Sequence, residues 1–187
     1  DAIAVNANER SLPVAVIPDD RVNSILVSGG KEAFDLVDRR TGLTLTFGEL
    51  STRIAKTASR LQALGLRPRD RVALFVADGP RFVILVNALF HLGAVPVLID
   101  PGMGLDNVAT CVREQKPRGL VGIAKAQVLR LLKRAAFSSV QVNIVVDGSF
   151  PGAVRLRTDG DDHDSYLAMY RQTKDAPAAV LYTSGST

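Results

Sequence analysis

Tryptophan does not occur in the 187-residue sequence, cysteine occurs once, at Cys111, and histidine twice, at His91 and His163. One cysteine excludes an internal disulfide framework and any cysteine-rich zinc site. Neither histidine has a nucleophile at a recognisable spacing, so no Ser-His-Asp or Cys-His mechanism is read. His91 falls within an apolar helical stretch and His163 within an acidic loop. Aromatic residues make up 5% of the chain, and the net charge of +4 is spread along it. Nucleic-acid binding would want a basic stripe interleaved with stacking aromatics. That class is therefore set aside, and the short clusters Arg67-Pro-Arg69-Asp70-Arg71 and Lys133-Arg134 read as solvated. No run approaches the ~20 apolar residues needed to span a bilayer. The greasiest stretch, residues 82–92, is interrupted by Asn87 and His91 and reads as a buried helix. The first residues show no basic segment followed by an apolar one and a cleavage site. A cytoplasmic location is expected.

Two nucleotide motifs are missing as well. The one Gly-Lys pair, Gly30-Lys31, lacks the upstream glycine of a P-loop. Gly102-Met103-Gly104 would need its third glycine at Asn107 to be a dinucleotide fingerprint. Asp100-Pro101-Gly102 reads instead as a turn capped by Asp100, with Gly102 or Gly104 at positive φ, in a loop that could line a ligand.

What is present is a rhythm of strands and helices. Residues 14–17 and 34–37 are strand candidates, and residues 43–47 alternate apolar and polar, so a hairpin around Gly42 is predicted. A first long helix carries Leu50, Ile54, Ala58, Leu61 and Leu64 at helical spacing, with Ser51 as its N-cap and Gly65 as its stop. Strand 71–77 follows, then a helix from Pro80 to Gly93 predicted to bury Phe82, Val83, Val86, Leu89 and Phe90. Strand 95–99 contains Pro96, which suggests an edge or a first residue that needs no donor. Helix 105–115, strand 119–123, helix 125–134 and strand 142–146 complete the alternation. Strands apolar on both faces that alternate with helices imply an α/β fold, a layered, mostly parallel sheet with helices on both faces. The division expected is an extension with first strands over 1–40, a βα core over 41–146, a surface excursion over 147–176, and a last strand with its loop over 177–187. The excursion would hold a short helix at 165–171, and residues 2–10 a frayed one. Its acidic cluster at 159–164 lacks the ligand spacing of a calcium loop. Cys111 reads as a small buried residue.

The chain closes on Tyr182-Thr183-Ser184-Gly185-Ser186-Thr187, preceded by the apolar run 178–181. A buried strand opening into such a loop is a way to build a phosphate cradle. Glycine lets the backbone approach the anion, and hydroxyls add short donors.

These residues resemble adenylate-forming enzymes, the superfamily of acyl-CoA synthetases, luciferases and peptide-synthetase adenylation domains. Leu45-Thr-Phe-Gly-Glu-Leu50 is similar to an early segment of that family. Leu64-Gly-Leu-Arg-Pro-Arg-Asp-Arg-Val-Ala-Leu74 is similar to another, with Arg69 where glycine is common. Leu89-Phe-His-Leu-Gly-Ala-Val-Pro-Val-Leu-Ile-Asp-Pro101 resembles its core motif, and the terminal loop resembles its phosphate-binding signature. The stretches 96–104 and 116–125 look most like olefin-biosynthesis β-lactone synthetases and their fatty acyl-CoA or acyl-AMP ligase relatives.

The resemblance implies an ATP-dependent ligase that adenylates a long-chain fatty or β-hydroxy fatty acid, releasing pyrophosphate and leading to a β-lactone. A fatty acid–CoA ligase or acyl-AMP ligase, and a non-catalytic interaction module, are the competing readings. Thr183, Ser184, Gly185, Ser186 and Thr187 map onto the loop that embraces the ATP phosphates. ATP and Mg²⁺ are the implied cofactors, with coenzyme A in the CoA-ligase reading. The glycine and lysine that complete the loop are not in this chain. Catalytic residues are expected downstream of Thr187. The segment is expected to be the first subdomain of a longer protein and inactive alone, with the remaining subdomains as its partners and room for a homo-oligomer.

Overall fold

A local signal starts the first helix at a defined residue. Thr46 and Glu49 form a reciprocal capping box: the Glu49 N–H donates to Thr46 Oγ1 at 3.3 Å and the Thr46 N–H to Glu49 Oε2 at 2.9 Å. Two donors that a helix start leaves open are thereby satisfied. The computed structural model describes residues 15–19, 24–28, 35–38, 44–156, 168–171 and 176–183. In it α1 spans Phe47–Ala63, one turn earlier than a cap at Ser51 would allow. The alternating pattern that suggested a strand through Phe47 ends at Thr46, because the capping box turns the chain there.

Ahead of α1 lies a four-stranded antiparallel meander, β1 (Ala15–Asp19), β2 (Ser24–Ser28), β3 (Asp35–Asp38) and β4 (Thr44–Thr46). The hairpin expected around Gly42 is β3–β4, with Leu36 opposite Leu45. The strand β2 had not been anticipated. Leu45, 2% exposed, fastens the meander to the rest through Ile84, Leu50 and Ile54.

The remaining strands form one parallel sheet in the order β10-β6-β5-β7-β8-β9. They are β5 (Arg71–Phe75), β6 (Val95–Ile99), β7 (Gly119–Gly122), β8 (Val142–Val145), β9 (Val154–Arg155) and β10 (Val180–Tyr182). Helices α2 (Pro80–Leu92), α3 (Leu105–Gln115) and α4 (Ala124–Leu132) connect them. Side-chain alternation divides the core in two. Val72, Leu74, Val121 and Ile144 meet α1 and α2 on one face. Ala73, Val97, Ile99 and Leu120 meet α3 and α4 on the other, together with Phe137. A sheet covered on both sides needs mostly apolar strands, which the sequence supplies through the central β5, β6 and β7, with polar residues at Arg71 and at Asn143 in β8.

Several expectations change in detail. On α2 the buried residues are Pro80, Ile84, Leu85, Ala88, Leu89 and Leu92, while Phe82, Val83, Val86 and Phe90 are half-buried. The helix aims Leu85, Ala88, Leu89 and Leu92 into the core shared with α1. Pro96 is second in β6, a strand flanked on both sides. The Val95 N–H points to Asp70 O and the Asp100 N–H to Tyr182 O, so even-numbered positions face β10. Pairing with β10 starts only at Val97, so the missing donor of Pro96 has no strand partner to lose. The stretch after β8 contributes β9 and the buried Leu156. Residues 168–171 are not helical, and the stretches 2–10, 159–164 and 165–167 lie outside the described residues. No helix among the described residues is long and apolar enough to cross a membrane.

Candidate functional site

Parallel strands place the loops that follow them along one edge of the sheet, and here two neighbouring strands send those loops apart. β5 leads into α2 on one face and β6 into α3 on the other. Such a divergence marks the region outside the carboxyl ends of the strands as the usual ligand position in open α/β sheets.

The β6 turn lies at this edge. Asp100 accepts the Gly102 N–H at 2.8 Å and closes a short 3-10 turn over Pro101–Met103. Gly104, at φ +84°, then opens α3; an L side chain there would be strained. The expected cap at Asp100 is thus present, and the positive φ belongs to Gly104. Neither α2 nor α3 has a side-chain cap on its first turn, so backbone N–H groups and the positive dipole ends remain available at this edge. Arg81, in the first turn of α2, pairs with Asp147 after β8 and braces the far end of the same edge.

β10 delivers the terminal loop into this setting. The Asp100 N–H donates to Tyr182 O at 3.1 Å, which ties the exit of β10 to the start of the β6 turn. The Tyr182 hydroxyl accepts from Gln115 Nε2 at 2.6 Å and donates to Glu114 Oε2 at 3.2 Å, anchoring β10 to α3. Thr183 follows immediately and is exposed. Ser184, Gly185, Ser186 and Thr187 lie outside the described residues. The strand feeding the loop is less enclosed than expected: β10 is an edge strand of the described sheet, and Leu181 is 65% exposed. The sequence marked the Asp100 cap, and gave no sign of the contacts that Glu114, Gln115, Arg81 and Asp147 make around it. Tyr182 and Gln115 are 67 positions apart, a contact no local pattern signals.

The other chemically capable residues stand elsewhere. Cys111 is buried on the inner face of α3, where desolvation first, and Glu114 second, push its thiol pKa up. That suits a core residue and opposes a nucleophilic role. His91 sits in the last turn of α2, its carbonyl accepting the Tyr170 N–H. Among the described residues no group of three His, Cys, Asp or Glu side chains is arranged to hold a metal.

Known proteins share this pattern. The sequence model of the AMP-binding enzyme family matches residues 26–187. An olefin beta-lactone synthetase of Xanthomonas campestris pv. campestris is 37% identical over 164 residues, covering 86% of this chain and 28% of that protein. The protein of the same name from Stenotrophomonas maltophilia is 32% identical over 160 residues, covering 78% of this chain and 26% of its own length. The chain therefore spans roughly a quarter of the length of these relatives. Among solved structures, the apo structure of Mycobacterium smegmatis MbtA superposes with a TM-score of 0.67 at 23% identity, over 77% of this chain and 27% of that one. That likeness concerns the fold: the parallel sheet with its two helical layers is that of adenylate-forming enzymes. With its sheet, its loop-bearing edge and 162 matched residues, the chain belongs to the AMP-binding enzyme family, the adenylate-forming ligases.

Proposed function

We propose that the chain forms the ATP-binding first part of a ligase that adenylates a long-chain β-hydroxy acid and leads it to a β-lactone. The observation that carries this reading is the position of Thr183. It leaves β10 at the carboxyl edge of the sheet, tied to the β6 turn, the edge at which α2 and α3 also start without side-chain caps. A loop of the composition Thr183-Ser-Gly-Ser-Thr187 beginning there suits a polyphosphate, since open backbone N–H groups and hydroxyls all favour negative charge. The names of the two relatives reported above support the β-lactone outcome.

The chemistry asks for positioning more than for reactive side chains. One carboxylate oxygen attacks the α-phosphorus of ATP; the acyl–phosphate bond forms as the bond to the bridging oxygen breaks, and pyrophosphate leaves. The β-hydroxyl oxygen then attacks the acyl carbonyl and loses its proton, and AMP departs as the four-membered ring closes. In the first step this chain's contribution is to hold the phosphates in line and stabilise charge on the leaving pyrophosphate. Magnesium, when bound, neutralises phosphate charge. Such a magnesium ion is held chiefly by the phosphates and water and asks the protein for one or two oxygen ligands, not a cluster of carboxylates.

Exchange of labelled pyrophosphate into ATP by the full-length protein tests the reading. Exchange that depends on an added long-chain β-hydroxy acid, followed by lactone release, is expected. Absence of acid-dependent exchange overturns the adenylation claim, and a thioester formed only when coenzyme A is added replaces the lactone by CoA ligation. Thr183→Ala is expected to weaken the exchange about tenfold through KM for ATP, the cost of one hydrogen bond to a charged group.

A further inference from the structure

The opposite edge of the sheet carries a second feature, assembled from segments far apart in sequence. The Arg118 N–H donates to Arg71 O at 2.9 Å, and the Arg69 N–H to Gly93 O at 2.7 Å. The first bond, with the Arg118–Asp70 ion pair, brings the stretches 67–71 and 116–118 together at the amino ends of β5 and β7, and the second ties 67–71 to the end of α2. Five cations collect there: Arg67, Arg69, Arg71, Lys116 and Arg118. Only Asp70 lies among them, and its carboxylate is occupied by the Arg118 guanidinium at 2.8 Å and the Arg67 N–H at 2.8 Å. Glu114, on the last turn of α3, is engaged by the Tyr182 hydroxyl. The excess of cations over carboxylates within these two stretches equals the +4 of the whole sequence.

Two of the five stand in a backbone conformation that argues against a passive surface. Arg69, at φ +67°, and Lys116, at φ +46°, are the only non-glycine residues with positive φ among the described residues. That region is strained for L-residues and free for glycine. Both strained positions carry long cations, both are exposed, and both lie on this edge. Strain held at particular residues points to a use for their side chains. Arg71, which donates to Gln115 O at 3.2 Å, and Arg118, steadied by Asp70 and Gln141, are held in place around them.

We propose that this amino-end edge is a docking surface for an acidic protein segment rich in Asp and Glu, contacted by Arg67, Arg69, Arg71, Lys116 and Arg118. Four of the five are arginines, whose planar forks match carboxylates. None of the large exposed apolar side chains, such as Phe47, Leu105, Leu132 and Leu181, belongs to these segments, so a membrane would find charge here without an anchor. Stacking aromatics for nucleic acid are missing from both segments. The partner would sit at the opposite end of the strands from Thr183 and leave the phosphate loop open. The proposal stands independently of the catalytic reading.

The test is binding of the full-length protein to immobilised poly-L-glutamate, with phosphatidylserine vesicles and duplex DNA as competing probes. Binding that weakens steeply from about 0.05 M to about 0.3 M salt is expected. The double variant Arg69→Gly/Lys116→Gly should bind about tenfold more weakly, the loss of two ion pairs, while its melting temperature holds or rises as the strain is relieved. Arg67→Gln, which leaves the backbone alone, should also weaken binding. Arg134→Gln/Arg155→Gln, with the same loss of charge elsewhere, should bind as the parent does. Equal loss in both double variants, no binding to polyglutamate, or preference for the vesicles or DNA would each overturn the proposal.

Discussion

Gly93 shows how much one residue can settle. It ends α2 at φ +80°, and a Cβ built on it would lie 2.3 Å from Tyr170 Cδ1. Gly93→Ala therefore meets both a strained conformation and an occupied space, and should destabilise the protein by about 1–3 kcal/mol in urea unfolding. Placing Gly93→Ala in a Tyr170→Ala background should recover the steric part of that loss and leave the conformational part. Cys111 gives a second residue-level test. It is 6% exposed and its thiol pKa is raised by burial, so the reactive thiolate is doubly suppressed in the folded state. Iodoacetamide should label it only as fast as the native structure opens, and the rate should climb through the denaturant transition. Rapid labelling under native conditions would mean that the α3 face is not packed as described.

At the scale of the element, the start of α1 depends on two side chains. Thr46→Ala removes half of the capping box and should cost about 1 kcal/mol, measured by denaturant midpoint. The Glu49 carboxyl is held below its ordinary value, first by the Thr46 backbone N–H and then by the Thr46 hydroxyl. A depressed carboxylate contributes stability above its unfolded value and loses it as pH falls through the folded one. The stability difference between the parent and Glu49→Ala should therefore be present at neutral pH and shrink below about pH 4.5. Both residues were in plain view in the sequence, yet periodicity alone placed the cap at Ser51. The alternation of strand β4 runs into the helix without a break, and only the hydrogen-bonding logic of Thr46-x-x-Glu49 separates the two. The other helices were easier to place. α2 is bounded by Pro80 and Gly93, which terminate helices by their own backbone geometry.

For the molecule as a whole, the stability of the sheet rests on strands that are covered twice. Leu120, in β7, has no exposed surface and packs among Ala73, Val97 and Phe137 on the α3/α4 face. Leu120→Ala should cost about 2–5 kcal/mol, and the transition should stay cooperative because both faces share the same strands. The two ends of those strands have been given different work by the packing. The carboxyl ends gather the Asp100 turn, the starts of α2 and α3, and Thr183. The amino ends gather the cations from residues 67–71 and 116–118.

The sequence by itself determined the alternation of elements. A parallel strand buried on both faces must be apolar throughout, and its covering helix must be amphipathic, so each unit leaves a local mark. It also marked the turn after β6, capped by Asp100 and with its positive φ at Gly102 or Gly104, since turn chemistry is local too. Only the tertiary structure decided that β10 adds beside β6, that β9 extends the far edge, and that Tyr182 reaches Gln115 and Glu114. It alone joined the basic segment 67–71, read from sequence as a solvated cluster, to the cations Lys116 and Arg118. Strand order and register follow from how helices pack across the sheet, and residues dozens of positions apart carry no periodic trace of the neighbours they will meet.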